Sequence, residues 1–329
     1  MREFQLIDEV MPGLPPASPA DVNAVRARVL DGGRRRSRRP IVLAVAAALG
    51  AFALLLPWSG GDQVTTATTS GPRTELEAAA DRLAAQPTGS GANWLREMDQ
   101  VYVQRAPEGG YLTQERLRDQ LWSTEDGRNT GVYQQLSVKP FRPGDAAAWK
   151  KAGSPELCTM DCGRRYISKP TAEIFELAQG LQLPIARVLA LPTDPGTLAE
   201  ELLRSYPSGA KVDRDTWLWR AGERLLLDSP ATPATRAAVY RMLAALPGTT
   251  IAAGISDVDG RPGIALRRGA PIQEQLVIDP ETGNLLASQD VAVDQVASVA
   301  RMVGVGVPYQ SFVIRRLGWT DEPPRLPKH

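Results

Sequence analysis

Two cysteines, Cys158 and Cys162, flank the short stretch Thr159-Met160-Asp161. Thiols this close in sequence can form a local disulfide, join further ligands around a metal, or run redox chemistry. A redox pair usually has two residues between its cysteines rather than three, and two thiolates alone do not complete a zinc site. A disulfide that pins its own loop is the plain reading, and it calls for an oxidising compartment. The single histidine is His329, so no Ser-His-Asp or Cys-His catalysis and no His-based metal site can form around an internal imidazole. Asp213, Asp215, Asp257, Asp259, Asp279 and Glu281 all fall at turns or helix caps, where short acids serve the backbone. Gly304-Val305-Gly306 lacks the further glycine and the strand–helix setting of a nucleotide fingerprint, and no Gly-Lys-Ser/Thr phosphate loop occurs. Trp94, Trp122, Trp149, Trp217, Trp219 and Trp319 could line an apolar pocket, although core packing is the commoner use of tryptophan. The sequence thus assigns no catalytic, metal-binding or cofactor-binding residue, and the expectation is a protein that is not an enzyme. A carboxylate pair brought together by folding stays open.

The elements that must place these groups begin with Arg34, Arg35, Arg36, Arg38 and Arg39, followed by an uncharged apolar run over residues 41–56 and then Pro57-Trp58. At a helical rise of ~1.5 Å per residue the run covers about 24 Å, a little short of a bilayer core of ~30 Å. Trp58 suits the headgroup region on one side, and Arg39 can snorkel on the other. The expectation is one transmembrane helix within residues 34–58. Positive charge stays inside, so the amino end is expected to be cytoplasmic and the rest extracytoplasmic. Two other readings stand beside it. A buried core helix fits the short run but not five arginines at its end. A cleaved signal peptide needs an n-region of about forty residues and has only the poor site Thr65-Thr66-Ala67.

Residues 1–33 form the expected cytoplasmic tail. Ser18-Pro19-Ala20-Asp21 reads as a helix start, and Val22, Val25 and Val29 make a narrow apolar stripe before Gly32-Gly33. A helix this short is marginal alone, so it either docks on a cytoplasmic regulatory protein or is a stub. Residues 59–73 are a Gly/Ser/Thr-rich linker. Residues 74–329 then suffice for one large domain or two small ones.

Of 38 Lys and Arg and 37 Asp and Glu, the first 39 residues hold eight and five, which leaves 30 basic and 32 acidic groups beyond them. A balance so near neutrality gives no electrostatic case for nucleic acid, whereas the arginine cluster favours the lipid bilayer. Thr74-Glu75-Leu76-Glu77 reads as a capping box that opens a helix. Strands are expected around 101–103, 111–122, 131–138, 185–191, 249–255, 263–266, 275–278, 285–288 and 311–316. Helices are expected after Asp194-Pro195, over 215–227 and after Thr232-Pro233. Helix, strands, helices, strands is an α+β order: an extracytoplasmic antiparallel sheet packed by helices.

Three stretches carry a resemblance. They are Leu189-Ala190-Leu191-Pro192-Thr193-Asp194-Pro195, the run Ala237-Ala238-Val239-Tyr240-Arg241-Met242-Leu243-Ala244-Ala245-Leu246-Pro247-Gly248, and Val277-Ile278-Asp279-Pro280-Glu281-Thr282-Gly283. With the tail and the arginine cluster, the chain resembles an uncharacterised family of single-pass membrane proteins of high-GC Gram-positive bacteria, designated by a locus tag. The resemblance spans nearly the whole chain, and its motifs are turns and helices rather than reacting groups. Genes of that family often lie beside those for extracytoplasmic-function sigma factors, which implies a regulatory role. The chain departs from the usual anti-sigma pattern, because the tail is short and no His/Cys zinc signature is present. Three functions are therefore weighed. The first is an envelope sensor, the second a non-signalling envelope module for an apolar or lipid-like ligand, and the third a carboxylate-dependent enzyme. A cleft with paired, buried acids would favour the third.

Overall fold

A computed structural model of the chain describes residues 71–124, 128–167 and 175–324. The tail stripe Val22, Val25 and Val29, the flank Arg34, Arg35, Arg36, Arg38, Arg39 and Trp58, and the apolar run 41–56 lie outside the described residues.

Helix α1 (Pro72–Ala84) leads into three long strands, β1 (Asn93–Arg105), β2 (Leu112–Thr124) and β3 (Asn129–Pro140). Helix α2 (Pro143–Lys151) and a short strand β4 (Arg165–Ile167) follow. A small hairpin, β5 (Phe175–Ala178) and β6 (Leu181–Leu183), precedes four helices: α3 (Ile185–Leu189), α4 (Pro195–Leu203), α5 (Arg214–Asp228) and α6 (Pro233–Ala245). The chain then returns to strands β7 (Thr250–Ser256), β8 (Pro262–Arg268), β9 (Ile272–Ile278) and β10 (Leu285–Ala292). Helix α7 (Ser298–Val303) and strand β11 (Pro308–Thr320) close it.

Nine of these strands form a single antiparallel sheet in the order β4-β3-β2-β1-β11-β10-β9-β8-β7. Two meanders, one from each end of the domain, are thus joined where β1 pairs with β11, from Asn93↔Thr320 to Tyr102↔Gln310. This corrects the α+β expectation; the transmembrane helix expected within residues 34–58 lies outside the described residues. A large, mostly antiparallel sheet dominates and helices are few. Among the described residues no helix is long and apolar enough to cross a membrane.

The reason for the sheet's greater extent lies in charged residues. Arg96, Glu97 and Asp99 break the hydrophobic alternation expected of a strand, so the sequence reading confines β1 to residues 101–103. In the fold each charge finds a partner across the strands. Arg96 binds Asp119, Glu97 accepts from Gln120, and Asp99 accepts from Arg116 and Arg118. Paired in this way, charged residues extend a strand instead of ending it.

Two local expectations also change. Residues 185–191, expected as a strand, contain helix α3, which buries Ile185 and Val188 at a three-residue spacing. The helix expected from a capping box at Thr74 begins earlier, at Pro72, with Gly71 as its N-cap. Glu77 instead accepts a 2.9 Å hydrogen bond from Arg241. Three caps are conventional: Asp194, Asp213 and Thr232 accept from the backbone N–H groups of Thr197, Thr216 and Thr235.

The core lies between the helices and one face of the sheet. Trp217, Trp219, Tyr240, Leu225, Leu226 and Leu243 are fully buried there, with Ile264, Leu276 and Ile278 from the strands. Helices α5 and α6 approach closely at Gly222, where an added Cβ would stand 2.9 Å from Leu243 Cδ2 and 3.1 Å from Val239 Cγ1. The opposite face carries an ion network: Asp99 accepts from Arg116, Arg118 and Arg315, and Arg116 and Arg315 also reach Asp259. Burial alone would raise the pKa of Asp99, but hydrogen bonds from Arg118 and Arg116 and the charges of Arg118 and Arg315 outweigh it and hold the pKa low.

Candidate functional site, an acidic cleft

Between α5 and the sheet lies a cleft of about 520 Å³. Helix α5 is anchored by Trp217 and Trp219 on its buried side. Glu223, Leu227 and Asp228 follow at three- and four-residue spacing from Arg220 and Arg224, and all five line the cleft. The sheet contributes Glu274 from β9, Ser288 and Asp290 from β10, and Phe312 from β11. The β5 hairpin supplies one wall, including Leu177.

Three acids set the character of this cleft. Glu274 and Asp290 stand directly opposite each other in the β9–β10 register. Like charges in that position destabilise a sheet. Glu223 faces them from the helix and accepts a hydrogen bond from the buried Ser288 hydroxyl. Among the described residues no lysine or arginine forms an ion pair with any of the three. Burial, with Glu223 nearby, raises the Asp290 pKa to about 6. Burial also raises that of Glu223, where the Glu274 charge outweighs part of the relief from Ser288. Glu274 is pushed up by burial and by Asp290, against weaker opposition from Arg220 and Arg268. At neutral pH the cleft holds carboxylates that favour a proton or an incoming cation.

Another acid of the lining differs. Asp228 accepts from Arg96 and from Arg224, and Arg96 also binds Asp119. Arg96 thus neutralises the edge of the cleft and leaves the interior acids unmatched. No group of three or more His, Cys, Asp or Glu side chains among the described residues is arranged to hold a metal ion. Three carboxylates facing one cleft suit a cation or a shared proton.

The residues singled out in the sequence lie elsewhere. Cys158 and Cys162 are joined in a disulfide. Their loop docks on β3 through Gln135, which accepts from the Met160 N–H at 3.1 Å, while Tyr166 donates to the Met160 carbonyl at 2.9 Å. Strands β1, β2, β10 and β11 separate that edge strand pair from Glu274. Asp213, Asp257 and Asp279 serve caps and turns. Trp217 and Trp219 are core residues, and Trp149 donates to the Pro155 carbonyl at 3.0 Å.

Sequence reasoning missed Glu223, Glu274 and Asp290, which three separate elements bring together. One signal was present: Glu274 is in phase with Leu276 and Ile278, which are core-facing positions. No family model matches this chain, and no curated protein matches it.

Proposed function

We propose that this chain is a binding and sensing protein of the cell envelope whose acidic cleft takes a small organic cation. The observation that carries the reading is the Glu223–Glu274–Asp290 group, three acids in one cleft without an ion-pair partner. A cross-strand Glu–Asp pair costs stability, and a ligand that supplies positive charge offsets that cost. The cleft volume of about 520 Å³ is in the range of small-molecule sites. The Cys158–Cys162 bond supports an extracytoplasmic location at the cell membrane.

Calorimetric titration of the full chain with spermidine tests this. Binding at pH 7.5 that weakens at least tenfold at pH 5, and is lost in the E274Q/D290N variant, is the expected result. Equal affinity in the variant, or no binding of spermidine or of simple alkylammonium ions, overturns the reading.

The sensor and the non-signalling module differ at the tail. A photo-reactive group at Val25 should capture a cytoplasmic regulatory protein, with capture lost when Val22 and Val29 become Asp. Labelling of lipid alone would favour the module. A second reading, carboxylate-dependent chemistry on the bound molecule, is favoured by one observation. Asp290, with its pKa of about 6, sits beside two other acids, an arrangement that suits proton transfer near neutrality. Turnover of a bound amine ester, abolished in D290N, would support it.

A further inference from the structure

A second cavity, of about 490 Å³, opens at the other end of the same helix–sheet interface. Strand β1 runs past both, with Met98 lining the acidic cleft and Trp94 lining this one. Here the N-terminal turn of α6 meets the ends of β10 and β11.

Four arginines line the cavity, and three of them are already matched. Arg261 binds Asp257 and the carbonyl of Leu286, Arg315 binds Asp99 and Asp259, and Arg316 binds Glu322. Arg236 is different. It is 6% exposed, no carboxylate reaches it, and its Nη1 has no hydrogen-bond partner among the described residues. Native structures rarely leave a buried guanidinium in this state, because a charge removed from water needs an opposing charge or a full set of acceptors.

A second orphan lines the same cavity. Trp94 is 4% exposed, and its Nε1 donor is also without a partner. The two unmatched buried side-chain atoms that line this cavity are therefore both donors. The one carboxylate in its lining, Asp279, is held by its own turn, accepting from the Glu281 N–H at 2.9 Å and the Thr282 hydroxyl at 2.7 Å. The apolar part of the lining is formed by Leu83, Leu285, Ile314, Leu317 and the Trp94–Trp319 ring pair, whose centroids are 5.9 Å apart.

We infer that this cavity binds a carboxylate with an apolar body, its oxygens accepting from Arg236 and Trp94 and its hydrocarbon lying against Trp319 and the leucines. An acceptor-rich head satisfies the orphan donors, and a planar carboxylate matches a guanidinium edge. A bare inorganic anion would leave the apolar walls unused. The inference rests on different residues from the acidic cleft, and either can fail without the other.

The test is titration of the full chain with decanoate, followed by calorimetry and by the fluorescence of its tryptophans. Decanoate should bind at least tenfold more tightly than decanol or acetate. R236Q should lose tenfold or more in decanoate affinity while decanol binding stays unchanged, and W94F, which keeps the ring and removes the donor, should lose several-fold. If R236Q fails to fold, W94F carries the test. Equal affinity of R236Q and the parent, decanol binding as tightly as decanoate, or no decanoate binding at all overturns the inference. An alkyl phosphate that binds more tightly than decanoate overturns the choice of head group.

Discussion

The helical layer leaves two openings against the sheet, and they solve opposite electrostatic problems. At one end Glu223, Glu274 and Asp290 share a cleft and none of them forms an ion pair among the described residues; at the other Arg236 is buried without one. Elsewhere in the domain charge is balanced with care. Asp99 alone accepts from three arginines, and Arg96 spans two aspartates. The far face of the sheet matches its buried charges, and the two openings do not. The contrast also separates the two chemistries. The acids can relieve their strain by taking up protons, as the raised pKa of Asp290 shows. A guanidinium has no such escape near neutral pH, so only a bound acceptor relieves Arg236.

Four measurements would break or sharpen this comparison. Arg96→Met should have the largest effect, because it leaves Asp119 without its cation and Asp228 with Arg224 alone. A loss of about 3 kcal/mol in chemical denaturation is expected, and a much smaller loss would mean that the cleft tolerates unpaired acids generally. Replacing Cys158 and Cys162 by serine should cost about 2 kcal/mol, the value expected for so short a loop. It should leave both openings unchanged in ligand titrations, since that loop docks on β3. Arg236→Met should stabilise the protein by about 2 kcal/mol, because it removes a buried charge that has no partner. Destabilisation instead would show that Arg236 is already satisfied.

Asp290→Asn should give the smallest gain, about 1 kcal/mol at pH 7.5, or about 2–4 °C in thermal midpoint. Its pH dependence carries the sharper information. A carboxyl whose folded pKa is raised stabilises the fold when protonated and loses that contribution as pH rises through the folded value. For Asp290 the window runs from the ordinary carboxyl value of 3.8 to about 6, so stability should climb as pH falls from 7 towards 5. Asp99 and Asp259, both held low by arginines after burial is overcome, act in the opposite sense and lose their contribution only at more acid pH. The parent should therefore be most stable in mildly acid solution. A flat profile between pH 5 and 7 in D290N would assign the slope to this residue, and an unchanged slope would remove it from the account.

Much of the architecture was legible in the residues themselves. The caps at Asp194 and Thr232 announced two helices, and the turn at Asp279 announced the β9–β10 connection. The charged half of β1 was hidden, because its pairing depends on Asp119, Arg116 and Arg118 in the next strand. The sites were harder still. Arg236 precedes Val239, Tyr240 and Leu243 by three, four and seven residues, which puts a cation on the buried stripe of α6. That signal was readable, but its lack of a partner was not, since absence of a counterion is a property of the fold. Glu223 gave less, standing on a helix whose neighbours include both charged and apolar residues.

The pairing of β1 with β11 has a consequence for how the domain is made. The first and last strands are central neighbours, so the two meanders cannot join into one sheet until β11 has emerged. Before then β1 and β10 each present an open strand edge, the kind of surface on which chains aggregate. High contact order of this sort slows folding. A truncation before Pro308 would therefore do more than shorten the protein: it would leave two half-sheets with nothing to join them, and the two openings would lose their shared wall.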